Sequence, residues 1–310
     1  SEPAAYAERL AAAETWLRGG DDRHVLAPGD DAYPPLLLQT ADPPLLLYLQ
    51  GRAELLSARG IAIVGSRQPS PQGQDNARAF ARALAERGFT IVSGLALGID
   101  AAAHEGALDA GAPTVAVMGT GPDRIYPARH RDLAHRIVAG GGALLSEHAP
   151  GTPALPDHFP QRNRLIAGLT QGTLVVEAAL RSGSLITARL ASEAGREVFA
   201  VPGSIRSPQA QGCHALIKQG AKLVEGIDDI LEELQQGVPR QAALPMEDGA
   251  SGGAPEPLLD ALGDDPVTLD ALLARTGFPV SELSARLLEL ELEGRVARLP
   301  GGLYQRRHTS

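Results

Sequence analysis

The feature that most constrains this chain is a repeating alternation between Gly60 and Gly226. Short apolar runs bounded by Gly or Pro recur there at 61–64, 89–93, 114–118, 143–146, 173–177, 197–201 and 222–224. Near-continuous apolar runs of this length read as strands buried on both faces. Segments 75–87, 100–110, 185–195 and 212–220 stand between them and are long enough for helices. Parallel strands need such crossovers, and the crossing helices then cover both faces of the sheet. The expected fold is α/β, a doubly wound and mostly parallel sheet. Segment 25–51, with its Pro pairs and apolar runs, is expected to add an edge element to it.

The flanks read differently. Residues 1–23 pattern as one helix, with Trp16 and Leu17 near its end and Gly19-Gly20 as its stop. Residues 236–255 are rich in Gly, Pro, Ala and Gln and have too little apolar surface to fold alone, so a flexible linker is expected. Segments 256–262, 268–275 and 281–293 then read as helices. Runs 295–299 and 303–305 flank Pro300-Gly301-Gly302, a hairpin signal. Three helices and a hairpin is the order of a winged helix. The expected domains are 1–23, 24–235 and 256–310, with 236–255 as the tether.

Charge matters here by its distribution. The net charge of −9 argues in total against a nucleic-acid partner. From Leu231 onward, however, seven Arg stand against thirteen Asp and Glu, so six of the nine negative charges lie in the C-terminal part. The remainder is near neutral, its basic residues gathered in a few loops, and binding follows the local field. Cys213 is the single cysteine, which excludes an internal disulfide and reads as a small buried apolar residue. The longest apolar stretch near the start, 36–49, is broken by Asp42, Pro43 and Pro44 and is too short to span a bilayer. With no signal-peptide pattern at the start, a cytoplasmic chain without membrane contact is expected.

Ligands of open α/β sheets sit beyond the carboxyl ends of the strands, at helix N-termini. The first strand end reads Gly65-Ser66-Arg67: a turn that permits close approach, a hydroxyl, and a forked cation suited to phosphate. The usual three-glycine dinucleotide fingerprint is absent. The second reads Ser93-Gly94, then Gly98 and Asp100, where Asp100 fits a plain helix cap as well as a ligand role; His104 one turn later fits packing or function equally. Arg124, Arg129, His130 and Arg131 crowd the third loop, which reads by default as solvated. After the fourth strand, Phe159 precedes Arg162, Asn163 and Arg164 at the expected start of an apolar helix at 165–169, a good anion position. Phe159 is either a ring for base stacking or core. Ser182, Gly183 and Ser184 open a helix after the fifth strand, and Lys218 follows the sixth. No strand end supplies a nucleophile with a base and carboxylate, no Cys/His spacing suits a metal, and no P-loop is present. Anion-binding features recurring on successive strands point to an extended polyanion, with no catalytic residue and no cofactor expected.

Several long motifs, in one order, resemble the DprA/Smf (DNA-processing protein A) family. They are 61–67, 93–100, the run Phe159-Pro160-Gln161-Arg162-Asn163-Arg164 continuing to Leu169, 177–188, and Val201-Pro202-Gly203-Ser204. The resemblance covers about 25–230, and the tail is similar to the winged helix many members carry. It implies an extended Rossmann-like domain that dimerises, binds single-stranded DNA and delivers it to a RecA-type recombinase, protecting incoming strands in natural transformation. Single-strand-binding protein is a further partner the resemblance implies, and the N-terminal helical domain of the family is expected to be shortened here. Phosphate contacts are expected from Gly65, Ser66, Arg67, Arg162, Asn163 and Arg164, with Lys218 beside them. Ser93, Gly94, Phe159, Ser182, Gly183 and Ser184 complete the expected DNA site. The rival is an enzyme of the lysine-decarboxylase-like Rossmann group, hydrolysing nucleoside monophosphates with Glu177 as its carboxylate. Its Pro-Gly-Gly-x-Gly-Thr signature is missing, and Gly172-Thr173 begins the strand instead. A third reading is a scaffold that only recruits partners.

Overall fold

In the computed structural model, the structure describes residues 4–235, 257–262 and 266–307. The expected linker at 236–255 lies outside them. The chain divides into two compact units, one of 1–69 and 76–235, the other of 70–75 and 236–310.

The first unit starts with α1 (Ala4–Leu17), β1 (Arg23–Leu26), α2 (Pro35–Leu38) and β2 (Leu47–Gly51). The alternation then runs β3 (Gly60–Val64), α3 (Pro71–Glu86, whose residues 71–75 are grouped with the second unit), β4 (Thr90–Ser93), α4 (Ile99–Asp109), β5 (Thr114–Met118), α5 (Arg131–Ala139) and β6 (Ala143–Ser146). It continues as α6 (His158–Gly168), β7 (Gly172–Val175), α7 (Ser184–Glu193), β8 (Glu197–Ala200), α8 (Gln211–Lys218), β9 (Lys222–Leu223) and α9 (Ile227–Gln235). These strands form one nine-stranded sheet in the order β1-β2-β6-β5-β4-β3-β7-β8-β9. Pairing from β6 through β9 is parallel, and β2 joins β6 antiparallel, so segment 25–51 does supply an edge, as a β1–β2 hairpin.

Period-two alternation sorts the core into two layers. Ile61 and Ile63 of β3 pack with Ala77, Ala81 and Leu84 of α3, Ala103 of α4 and Ile230 of α9. Ala62 and Val64 face the other way, onto Leu165 and Ile166 of α6, Ala188 of α7 and Cys213 of α8. Cys213 is wholly buried, and that burial pushes its thiol up to about 12. Trp16 of α1 is also buried, edge-on to Tyr48 of β2 at 5.9 Å.

The second unit holds α10 (Pro257–Leu262), β10 (Val267–Thr268), α11 (Leu269–Thr276), α12 (Val280–Leu292), β11 (Val296–Leu299) and β12 (Leu303–Arg306). Its strands pair in the order β10-β12-β11. Thr268 caps α11 by accepting from the Ala271 N–H at 3.2 Å. Positive φ at Gly301 (86°) and Gly302 (72°) turns the β11–β12 hairpin. Leu258, Leu262, Leu272, Leu283, Leu287 and Leu290 make the core of this winged helix.

Candidate nucleic-acid interface

Chain order runs outward from β3 through β4 and β5 to β6, then returns and runs the other way from β7 to β9. The strand order therefore reverses between β3 and β7, and the crevice beyond their carboxyl ends is where a doubly wound sheet binds ligands. A cleft of about 470 Å³ opens there. Its walls come from three places: the turn Gly65–Gln68 after β3, the first turns of α6 with Phe159, Arg162 and Asn163, and the loop into α7 with Arg181, Ser182, Gly183 and Ser184.

The turn after β3 is close-packed. A Cβ on Gly65 would stand 2.7 Å from Ile99 Cγ1 and 2.8 Å from the Glu177 carbonyl oxygen. The Ser66 N–H donates to that same carbonyl at 2.6 Å, and Ser66 Oγ accepts from the Gln68 N–H at 3.1 Å. Arg67 and Gln68 are the exposed residues of the turn. The Arg67 guanidinium carbon stands 5.9 Å from the centroid of the Phe159 ring. Phe159 lies against Gly119, whose Cβ would meet its Cδ1 at 2.9 Å, and the Tyr126 ring lies 5.3 Å from it between centroids, tilted by 41°. Tyr126 is 53% exposed. Phe159 on the cleft wall thus has a cation and a second ring as neighbours, and Tyr126 itself is not among the lining residues. Tyr126 belongs to the loop whose charged residues read as solvated, and its neighbours Ile125 and Pro127 give no sign of what its ring meets.

Arg162 corrects an expectation. The helix begins at His158, not at 165, because Pro160 is tolerated in a first turn where its missing N–H costs nothing. Arg162 therefore lies inside α6 and is 4% exposed. Its Nη1 donates to the Gly94 carbonyl at 2.6 Å and to the Val117 carbonyl. Asp100 completes the cluster: it is buried, and its Oδ2 accepts from the N–H groups of Gly94 at 3.1 Å and Ala96 at 3.3 Å. Burial raises the Asp100 carboxyl above its ordinary range, opposed by Arg162. The same burial lowers the Arg162 guanidinium to about 10, which leaves it charged at neutral pH. Gly94 is thus where two buried charged side chains meet the backbone, its N–H bound by Asp100 and its carbonyl by Arg162, and it is not among the residues lining the cleft.

Three more expected contacts lie off the cleft wall. Ser93 is wholly buried and its hydroxyl donates to the Ile63 carbonyl at 2.6 Å, so it ties β4 to β3. Arg164 turns away, pairing with Glu147 and with Asp42 at 3.5 Å. Lys218 ends α8, exposed, and is not among the residues lining the cleft. Helical spacing explains the Arg164 result: residues two apart on a helix do not share a face, so Arg162 and Arg164 could not both serve one pocket.

On the α7 side, Ser182 Oγ and Ser184 Oγ stand 2.7 Å apart at the helix start, and Asn163 Nδ2 donates to the Gly183 carbonyl at 3.3 Å. The first N–H groups of that turn are engaged locally, Ser184 by Ser182 Oγ at 3.3 Å, Leu185 by the Ser182 carbonyl at 3.2 Å and Ile186 by the Gly183 carbonyl at 3.2 Å, so the attraction for an anion on this side comes from Arg181 and the positive end of the helix. Arg181 is a lining residue that strand-end reading passed over. Glu177 is not on the wall; Asp100 is the one carboxylate there among the described residues. No group of three or more His, Cys, Asp or Glu among the described residues is placed to hold a metal ion.

The model for DNA recombination-mediator protein A matches residues 24–235, and that for the DprA winged helix domain matches 242–302. The chain belongs to the DNA recombination-mediator protein A family. It is 46% identical to Protein Smf of Escherichia coli over 299 residues, spanning 94% of this chain and 79% of that one. It is 48% identical over 206 residues to the DNA processing protein DprA of Streptococcus pneumoniae, covering 66% of this chain and 72% of the relative. The solved S. pneumoniae structure superposes with a TM-score of 0.66 at 44% identity, over 75% of this chain and 82% of that one. The DprA of Helicobacter pylori, solved for its single-stranded DNA binding mode, superposes at 0.60 with 31% identity, over 69% of this chain and 96% of that one. The family's α/β sheet and winged helix are both present here. Among the described residues no helix is long and apolar enough to cross a membrane.

Proposed function

We propose that this protein binds single-stranded DNA in the β3–β7 cleft, as a homodimer, and delivers the strand to a RecA-type recombinase. In that role it protects incoming DNA in natural transformation and recombination, with single-strand-binding protein as a further partner in the cytoplasm. The observation that carries the reading is the composition of the cleft wall. It holds three arginines, Arg67, Arg162 and Arg181, against one carboxylate, and that carboxylate is already spent on two backbone N–H groups. Such a wall is positive and has no free general base, which suits binding a polyanion without cutting it. The Phe159 ring on the wall, with Arg67 and Tyr126 as its neighbours, adds a stacking face, the usual means of holding unpaired bases. In this reading Gly65, Ser66, Arg67, Asn163, Arg181, Ser182, Gly183 and Ser184 meet phosphate, and Arg162 holds the floor of the site beneath them. The family name and the H. pylori relative's single-stranded ligand support the assignment.

The test is binding of single- and double-stranded oligonucleotides across a salt series. Single strands are expected to bind more tightly. Arg67→Ala should lower the salt slope by about 0.7 log units per log salt, the loss of one phosphate contact on a single strand. Phe159→Ala should cost about 1–3 kcal/mol of binding if its ring stacks a base. Unchanged affinity and slope in both folded variants would remove this cleft from the function. Release of free base from nucleoside monophosphates would establish the enzymatic alternative.

A further inference from the structure

The helix that reads duplex DNA in winged-helix proteins is the third, and here that is α12. Its inner face, Leu283, Leu287 and Leu290, fills the core of the unit. Its outer face carries a second apolar set. Leu288 is 57% exposed and Leu292 is 81% exposed. They stand four residues apart, so their side chains lie one above the other, on the side of the helix opposite the core residues. Ser281, Ser284 and Ala285 continue the same exposed side toward the N-terminus, and none is large enough to obstruct an approaching element. Solvated helix faces are ordinarily polar, so two open leucines on one stripe call for a covering surface.

Charge selects what covers them. Glu289 and Glu291 flank the leucines on either side, and both are exposed with no ion-pair partner among the described residues. The cation of this helix, Arg286, is engaged by Glu282 at 3.5 Å and lies 5.1 Å over the Phe278 ring, away from the leucine stripe. Phosphates would be repelled by such a face. A second copy of α12 would set glutamate against glutamate.

We propose that the outer face of α12 docks a helical segment of a partner protein whose apolar stripe is edged by Lys or Arg. The leucines supply the buried contact and the two glutamates fix which partner is accepted. The winged helix of this chain is on this view a protein-recognition module. The inference is independent of the cleft, since no residue of the cleft takes part.

The probe is a synthetic helical Leu/Lys peptide, with leucines four apart and lysines on both flanks, titrated against the full chain at about physiological ionic strength. Leu288→Ser with Leu292→Ser should weaken binding at least about tenfold, at an unchanged melting temperature, since both positions are exposed. Glu289→Lys with Glu291→Lys should reject this peptide and accept a Leu/Glu peptide of the same pattern. Equal binding of the Leu/Lys peptide to the parent and the serine variant would overturn the proposal, because the probe would then be sensing net charge alone. Loss of duplex-oligonucleotide binding in the serine variant would overturn it in favour of a nucleic-acid face. Loss of self-association in that variant would overturn it in favour of a second copy.

Discussion

His104 shows how one residue type can look functional and be structural. It follows a glycine-rich strand end by one turn, yet it is wholly buried, with Nδ1 2.9 Å from Thr114 Oγ1. The threonine proton is already given to the Ile91 carbonyl at 2.6 Å, so Nδ1 carries the hydrogen of that contact. Burial first, then the nearby His130 and Arg162, lowers His104 to about 3. The ring is therefore neutral in the folded chain and protonates below about pH 6.5 once unfolded. The unfolded state then binds the extra proton, so stability falls as pH drops from about 6.5 toward 3 and the loss levels off below that. The slope expected from this one group is about 1.4 kcal/mol per pH unit within the window. His148, lowered to about 4 by burial, adds in the same direction. Denaturant titrations at stepped pH should show the slope, and His104→Gln should flatten it whatever it does to the absolute stability. An identical slope in that variant would show that the ring is not held neutral. Arg162 had the same ambiguity. Residue type told that Arg162 and Arg164 were cations near a cleft; which one pointed inward depended on where α6 starts, and Pro160 hid that start.

Among the elements, β3 and its turn were the most legible, because an apolar run ending in Gly-Ser-Arg has few other readings. What could not be read was the reason for the glycine. It is the approach of Ile99 from α4 and of the Glu177 carbonyl after β7, both distant in sequence. Gly65→Ala should therefore destabilise the chain by about 1–3 kcal/mol, the range for overpacking a filled site, because one of the two opposing atoms is backbone and cannot rotate away. A shift in the denaturant midpoint measures it; a midpoint within error of the parent would mean that the β3 turn is looser than it appears. Strand β7 was placed one to two residues late, because Val176 and Glu177 continue an apolar-looking run after the ladder has ended at Val175.

At the scale of the whole molecule, the alternation was enough to foresee a sheet covered on both faces, since every crossover had to contain a helix. Strand order was beyond it: nothing in the spacing told that the chain turns back between β6 and β7, and that reversal is what creates the cleft. The units differ in fold and in the density of charge: the second unit has 7 Arg against 12 Asp and Glu, a net −5, and the much larger first unit a net −4. A chain ending at Gln235 should accordingly stay folded and keep most of its single-strand affinity, as filter binding against the full chain would show. Abolished binding, together with tight DNA binding by residues 236–310 alone, would transfer the nucleic-acid site to the winged helix.

The sheet has two outer strands, and neither invites another. At one end β1 offers four residues that begin with Arg23 and His24; at the other β9 is only two residues long. Growth of the ladder from chain to chain needs a long, flat, apolar rim with unsatisfied amides. The nine-stranded sheet has rims too short and too polar for that, so encounters between copies are not expected to propagate along it strand by strand. Partners of this unit, a second copy included, are then expected to meet it through helix surfaces and side chains, where contacts saturate after one partner and can be undone.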